Sequence, residues 1–205
     1  MPFVPNVAIA KVAIDLQQGT RPFTNILHVG APANPDEAQL LTIATLVYDA
    51  YTDAFMPLLS NTVVAQSATA YSMASTTAPV AVYSPTTPVV GDVTGDPIPL
   101  QSAAVLTLRT NARGRSGRGR IYVSGWSELS SAASSLTPAA SSALITAASA
   151  FRAALLASSV TLVVYSQQSG GAFRTTGVAF PVTSIVLRSA VFGSQRDRNN
   201  RESSS

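Results

Sequence analysis

The hydrophobic pattern switches between two periods along this chain, and it does so twice. Val7 to Leu16, "VAIAKVAIDL", is apolar and rich in β-branched residues and predicts a strand; "QQGTRP" turns the chain, and "FTNILHV" (Phe23 to Val29) predicts a second strand. "GAPANPDEAQ" then carries the marks of a helix start, with Asn34 as N-cap, Pro35 at the first helical position, and Asp36 and Glu37 in the first turn. The helix is expected to run to about Leu59. Leu40, Leu41, Ala44, Val47, Tyr48, Tyr51 and Phe55 form its apolar stripe. Thr62 to Met73 and Val80 to Tyr83 return to strand character.

The second half follows the same order. "SAAVLTLRT" predicts a strand, "NARGRSGRG" a loop and "RIYVSGW" a strand. A helix follows, with Thr137 as N-cap and Pro138 at its first position, and then "VTLVVYSQ" and the region from Phe173 to Leu187 supply further strands. "SNTVVAQSA" after the first helix echoes "SVTLVVYSQ" after the second. The expected fold class is therefore α+β: two pseudo-repeated strand-strand-helix-strand halves, about 5–84 and 100–190, forming a mostly antiparallel sheet with two helices on one face. The alternative is a jelly-roll β-sandwich with inserted helices. Ser84 to Leu100, rich in Pro and Gly, reads as a linker or surface loop. On this reading 1–192 is a single domain and 193–205, Gly193 followed by "SQRDRNNRESSS", a flexible polar tail.

Composition narrows the function. Of 205 residues, 46% are hydrophobic and only 11% charged, against a usual quarter. A cytosolic enzyme keeps itself soluble with many surface charges. So charge-poor a chain fits a protein whose surface is largely covered by copies of itself, or one that works outside cells. Lys11 is the sole lysine, so arginine supplies nearly all of the positive charge behind the net +3. With no cysteine there is no disulfide framework and no thiolate chemistry. The first residues carry no signal-peptide pattern, and no apolar run reaches the length of a membrane span, so neither secretion nor membrane insertion is expected.

Catalytic constellations are sparse. His28, the only histidine, lies inside a predicted strand among apolar neighbours and reads as a packing residue. Asp49 and Asp53 stand four apart on the polar side of the first helix; two carboxylates without further ligands make a poor metal site, and a solvated helix face explains them. Asp92 and Asp96 are turn residues without calcium-loop spacing. No phosphate-cradling loop opens a helix. The chain is expected not to be an enzyme and to need no cofactor, metal or small-molecule substrate.

The segment that stands apart is "RTNARGRSGRGR". Arg109, Arg113, Arg115, Arg118 and Arg120 are interleaved with glycines that let the backbone approach a partner closely. Such a density of arginine suits phosphates of a nucleic acid backbone, or carboxylates and terminal carbonyls of a neighbouring subunit, and a solvated basic hairpin is the plain alternative. Tyr122 and Trp126 follow directly and are candidates for an interface or packing anchor. The tail adds Arg196, Arg198 and Arg201, with Asp197 and Glu202 cancelling part of their field.

At "LRTNARGRSGRGRIYVSGW" and at "FTNILHVG" the chain resembles the coat (capsid) proteins of small icosahedral viruses, RNA viruses foremost. The resemblance implies many identical copies, self-assembly and a genome on the inside. Many shell proteins place a basic arm at the N-terminus, whereas this N-terminus passes straight into a strand, so genome contact falls to the arginine loop or the tail. The function expected is a structural coat protein that encloses nucleic acid, binds RNA without sequence preference, and is found in the virion after assembly in the host cytoplasm. A phage tail, neck or decoration protein without genome contact is the alternative.

Overall fold

The computed structural model describes residues 9–32, 34–73, 80–94, 103–110, 119–123, 138–169 and 175–191. β1 (Ile9–Gln18) and β2 (Arg21–Gly30) pair as an antiparallel hairpin. Gly19 turns it with a φ of 57°, a left-handed conformation that a side chain would strain. α1 (Glu37–Phe55) follows. Its N-cap is Asp36, two residues later than the sequence suggested. The Asp36 carboxylate accepts from the Gln39 backbone N–H at 2.7 Å, and the Gln39 side chain accepts from the Asp36 N–H at 3.1 Å. This reciprocal box satisfies two otherwise orphaned donors, which Asn34, held at a φ of 53°, does not do. α1 also ends early. Pro57 has no N–H for an α-helical bond, so Met56–Leu58 tightens into a 3-10 turn in place of a helix to Leu59.

β3 (Val63–Ser72), β4 (Val80–Tyr83) and β5 (Val89–Val90) complete the first half. β5 lies within the stretch read as a linker, and it is anchored rather than loose. It pairs with β3, and beyond it the Asp92 and Val93 N–H groups donate to the Met56 and Leu59 carbonyls. Gly91 is required there, because a Cβ would overlap the carbonyl oxygens of Ser60 and Leu59. The second half supplies β6 (Ala103–Thr110), β7 (Gly119–Val123), α2 (Pro138–Ala157), β8 (Leu162–Ser169) and β9 (Thr175–Val191). Pro138 opens α2 as expected; Thr137 lies outside the described residues.

The strands form one sheet in the order β4-β3-β1-β2-β8-β9-β6-β7, with β5 beside β3. Every pairing between them is antiparallel. The fold is α+β, and the strands follow one continuous path rather than splitting into the two sheets of a jelly roll. Period-two alternation sorts the faces. On β1, Ala10, Val12, Ile14 and Leu16 are buried beneath the helices, and Lys11, Ala13, Asp15 and Gln17 occupy the opposite face. The two helices pack side by side through Tyr51, Phe55 and Phe151, with ring centroids 4.9 to 6.2 Å apart. Ala147 and Ala148 are buried on α2 in the same core, which also includes Leu27, Leu106, Ile121 and Ile185. β7 returns against β2, so the far end of the sheet curls rather than extending flat.

Candidate functional site

Two surfaces draw attention: the hairpin that carries the arginines and the sheet face away from the helices. β6 and β7 pair from Ala104↔Val123 to Leu108↔Gly119, so the arginine-rich loop joins two directly paired strands. Arg109 is exposed at the end of β6, and its carbonyl accepts a 3.3 Å bond from the Thr183 hydroxyl. Arg120 pairs with Thr107 and Tyr122 with Val105 in the register. The structure thus brings Arg109, Arg120 and Tyr122 to one hairpin at the outer end of the sheet. Thr107 buries a hydroxyl that meets no partner among the described residues, an unmet hydrogen-bonding group beside the Arg120 position. Arg113, Arg115, Arg118, Trp126, Arg196, Arg198 and Arg201 lie outside the described residues.

The sheet face away from the helices has Lys11 and Asp15 of β1 at its middle, both partly exposed, with Ala13 buried between them by its neighbours. Its register fixes the neighbours. Lys11 stands between Tyr71 and His28, Ala13 between Thr69 and Ile26, and Asp15 between Ser67 and Thr24. The Lys11 ammonium lies 4.9 Å from the centre of the Tyr71 ring, a cation–π contact. The Asp15 carboxylate accepts from Thr24 at 2.8 Å and from Ser67 at 3.3 Å. Ile26 is 48% exposed, Val80 45% and Val82 56%, so large apolar side chains stand in solvent here. His28 is half-buried, and burial first and the Lys11 charge second hold its pKa below the ordinary 6.5. It is therefore a neutral imidazole at neutral pH. It sits where β2 meets β8, through only the pairs His28↔Val163 and Val29↔Leu162.

No family model, curated protein or solved structure matches this chain. The reading of function therefore rests on its own residues. Among the described residues no three His, Cys, Asp or Glu side chains gather where they would hold a metal. Asp49 and Asp53 are exposed on α1, and burial together with the neighbouring Asp53 charge raises the Asp49 pKa. Among the described residues, no helix is long and apolar enough to cross a membrane.

The polar groups inside the core do structural work. Asn25 donates to the buried Tyr51 hydroxyl at 3.0 Å, and burial pushes that phenol far above its ordinary pKa. The Tyr48 hydroxyl donates to the Ala65 carbonyl at 2.8 Å and accepts from the Val89 N–H at 3.4 Å, tying α1 to β3 and β5. Arg152 on α2 donates through Nε to the Val182 carbonyl at 2.8 Å. Two of the residues now placed in these surfaces and ties, Asp15 and Arg152, were not marked in the sequence. Asp15 had a legible signal, since positions 11, 13 and 15 share one face of any strand. Arg152 had none, because its partner is a backbone carbonyl distant in sequence.

Proposed function

We propose that this chain is a structural coat protein that self-assembles into a closed shell around nucleic acid, RNA foremost, and that it is not an enzyme. The observation that carries the reading is the segregation of charge. Five of the twelve arginines fall between Arg109 and Arg120, while the composition elsewhere is charge-poor; of the five, Arg109 and Arg120 are described, on the paired strands β6 and β7 at the end of the strand order. Arginine at that density attracts phosphate through counterion release, without reading sequence. The exposed Ile26, Val80 and Val82 add apolar surface of the kind that copies of one chain cover for each other. A shell protein of this description resides in the virion and assembles in the host cytoplasm.

Replacing Arg113, Arg115 and Arg118 together with Ser tests it. Folding stability is expected to stay within about 0.5 kcal/mol, since loop substitutions away from packed features cost little. Nucleic acid recovered with the assembled protein is expected to fall. Particles that keep their full load of nucleic acid would remove the arginine hairpin from the proposal. Assembled protein that never carries nucleic acid, even with the arginines intact, would favour the tail, neck or decoration reading.

A further inference from the structure

The open sheet face has a charge arrangement that is complementary to itself. Lys11 and Asp15 lie two positions either side of Ala13 on the same face of β1. Neither has an ion-pair partner among the described residues. Ala13 itself sits in a cross-sheet row, Val82–Thr69–Ala13–Ile26, that holds no charge. Above that row stand Tyr71, Lys11 and His28, and below it Ser67, Asp15 and Thr24.

We infer that two copies of the chain pack by this face about a two-fold axis that lies in the interface, perpendicular to β1 and passing at Ala13. That operation lays β1 antiparallel over its copy. Each Lys11 then faces the other copy's Asp15, twice per dimer, as an isologous contact requires. The uncharged row meets itself, Ile26 on Ile26 and Val82 on Val82, which covers the two most exposed apolar residues of the face. The other in-plane axis, parallel to β1, sets Lys11 on Lys11 and Asp15 on Asp15, so charge selects between the two. Face-to-face sheets pack about 10 Å apart, a gap that an extended lysine and a short carboxylate span between them. Three ten-residue strands of about 33 Å and the four-residue β4 of about 13 Å, at about 4.8 Å spacing, offer on the order of 540 Å² per copy, and so roughly 1,100 Å² in total. That clears the about 1,000 Å² that a biological interface needs and places this one at the small end of the range.

This dimer goes beyond the shell reading and does not depend on it. The test uses the full chain and sedimentation of its smallest associating species. Lys11→Asp gives a face with two carboxylates, and Asp15→Lys a face with two ammoniums. Each is expected to weaken the homodimer about tenfold or more through like-charge contact. The double variant, Lys11→Asp with Asp15→Lys, restores the reciprocal pairs and is expected to dimerise close to wild type. A one-to-one mixture of the two single variants is expected to form heterodimers where neither dimerises alone. Thermal unfolding of each variant checks that it is folded; if a charge variant does not fold, Val82→Lys, at an exposed axial position, is expected to give the same loss of dimer. A wild type that stays monomeric, single variants that dimerise as well as wild type, or a double variant as weak as the singles overturns the inference. Loss of the dimer with shells still forming would sink this inference alone, and a dimer without shells would sink the shell reading alone.

Discussion

The two halves of the molecule run through their elements in the same order and pair them differently. In the first half β1, the opening strand, takes β3 and β2 as its two neighbours, and β4 lies outside β3. In the second half the opening strand β6 takes β7 and β9, and it is β8 that lies outside β9. The cause is visible in β9. At 17 residues it is much longer than β4, and it serves two partners in succession, β8 along Thr175–Pro181 and β6 from Val182 onward. The same order of elements therefore does not dictate which strands become neighbours. Strand length and the place where a strand changes partner decide that.

The halves also differ in what fastens them. The first is tied by Tyr48 and Tyr51 hydroxyls to β3, β5 and β2 as well as by apolar packing. α2 is richer in alanine and meets the core through Leu144, Ala148, Phe151 and Leu155, with Arg152 fixing the point where β9 changes partner. The largest expected effect comes from Phe151→Ala, which empties the ring contacts to Tyr51 and Phe55 and is expected to cost about 3–5 kcal/mol in chemical denaturation. If the halves form one cooperative unit, hydrogen exchange at β1 accelerates as much as at β8. Acceleration confined to the second half would break the single-core account.

A smaller change sharpens the contrast between the halves. Arg152→Met keeps most of the buried stem and removes the bond to the Val182 carbonyl, at a cost of about 1 kcal/mol. Amide protection is expected to fall along β9 and β6 and to stay unchanged in β1, β2 and β3. Equal loss in both halves would mean that the bond does not act locally where β9 changes partner.

The smallest effect lies at the join. His28 has a lowered pKa in the fold, so below its ordinary 6.5 the unfolded chain takes up a proton that the folded chain resists. Stability is thus greatest above about pH 6.5 and declines as the pH falls below it. His28→Gln is expected to flatten the stability profile between about pH 6.5 and pH 5, where the carboxylates still contribute little. An unchanged profile would show that the imidazole protonates without cost at this join.

Much of the fold was legible because its signals are local. The two-period pattern gave both helices and the main strands to within a few residues, and Pro138 marked the start of α2. The misplaced first cap illustrates what is not local. Asn34 and Asp36 are both good cap residues, and only the reciprocal bond with Gln39 selects between them. β5 was hidden because a two-residue strand has no periodicity, and Gly91 beside it looked like loop composition until its contact with Ser60 and Leu59 was seen. The candidate site divides in the same way. The arginine cluster is a sequence feature, and of it the paired strands β6 and β7 place Arg109 and Arg120 alone. The Lys11–Asp15 pair becomes meaningful only once the sheet shows which face is open.

The central claim is that many copies of this chain close into a shell that holds nucleic acid. Expressing the chain alone, isolating its largest species, and recording the nucleic-acid to protein absorbance ratio beside negative-stain images tests it most directly. The account predicts uniform closed particles with a high ratio. A small, clean monomer or dimer with a protein-only spectrum would contradict it.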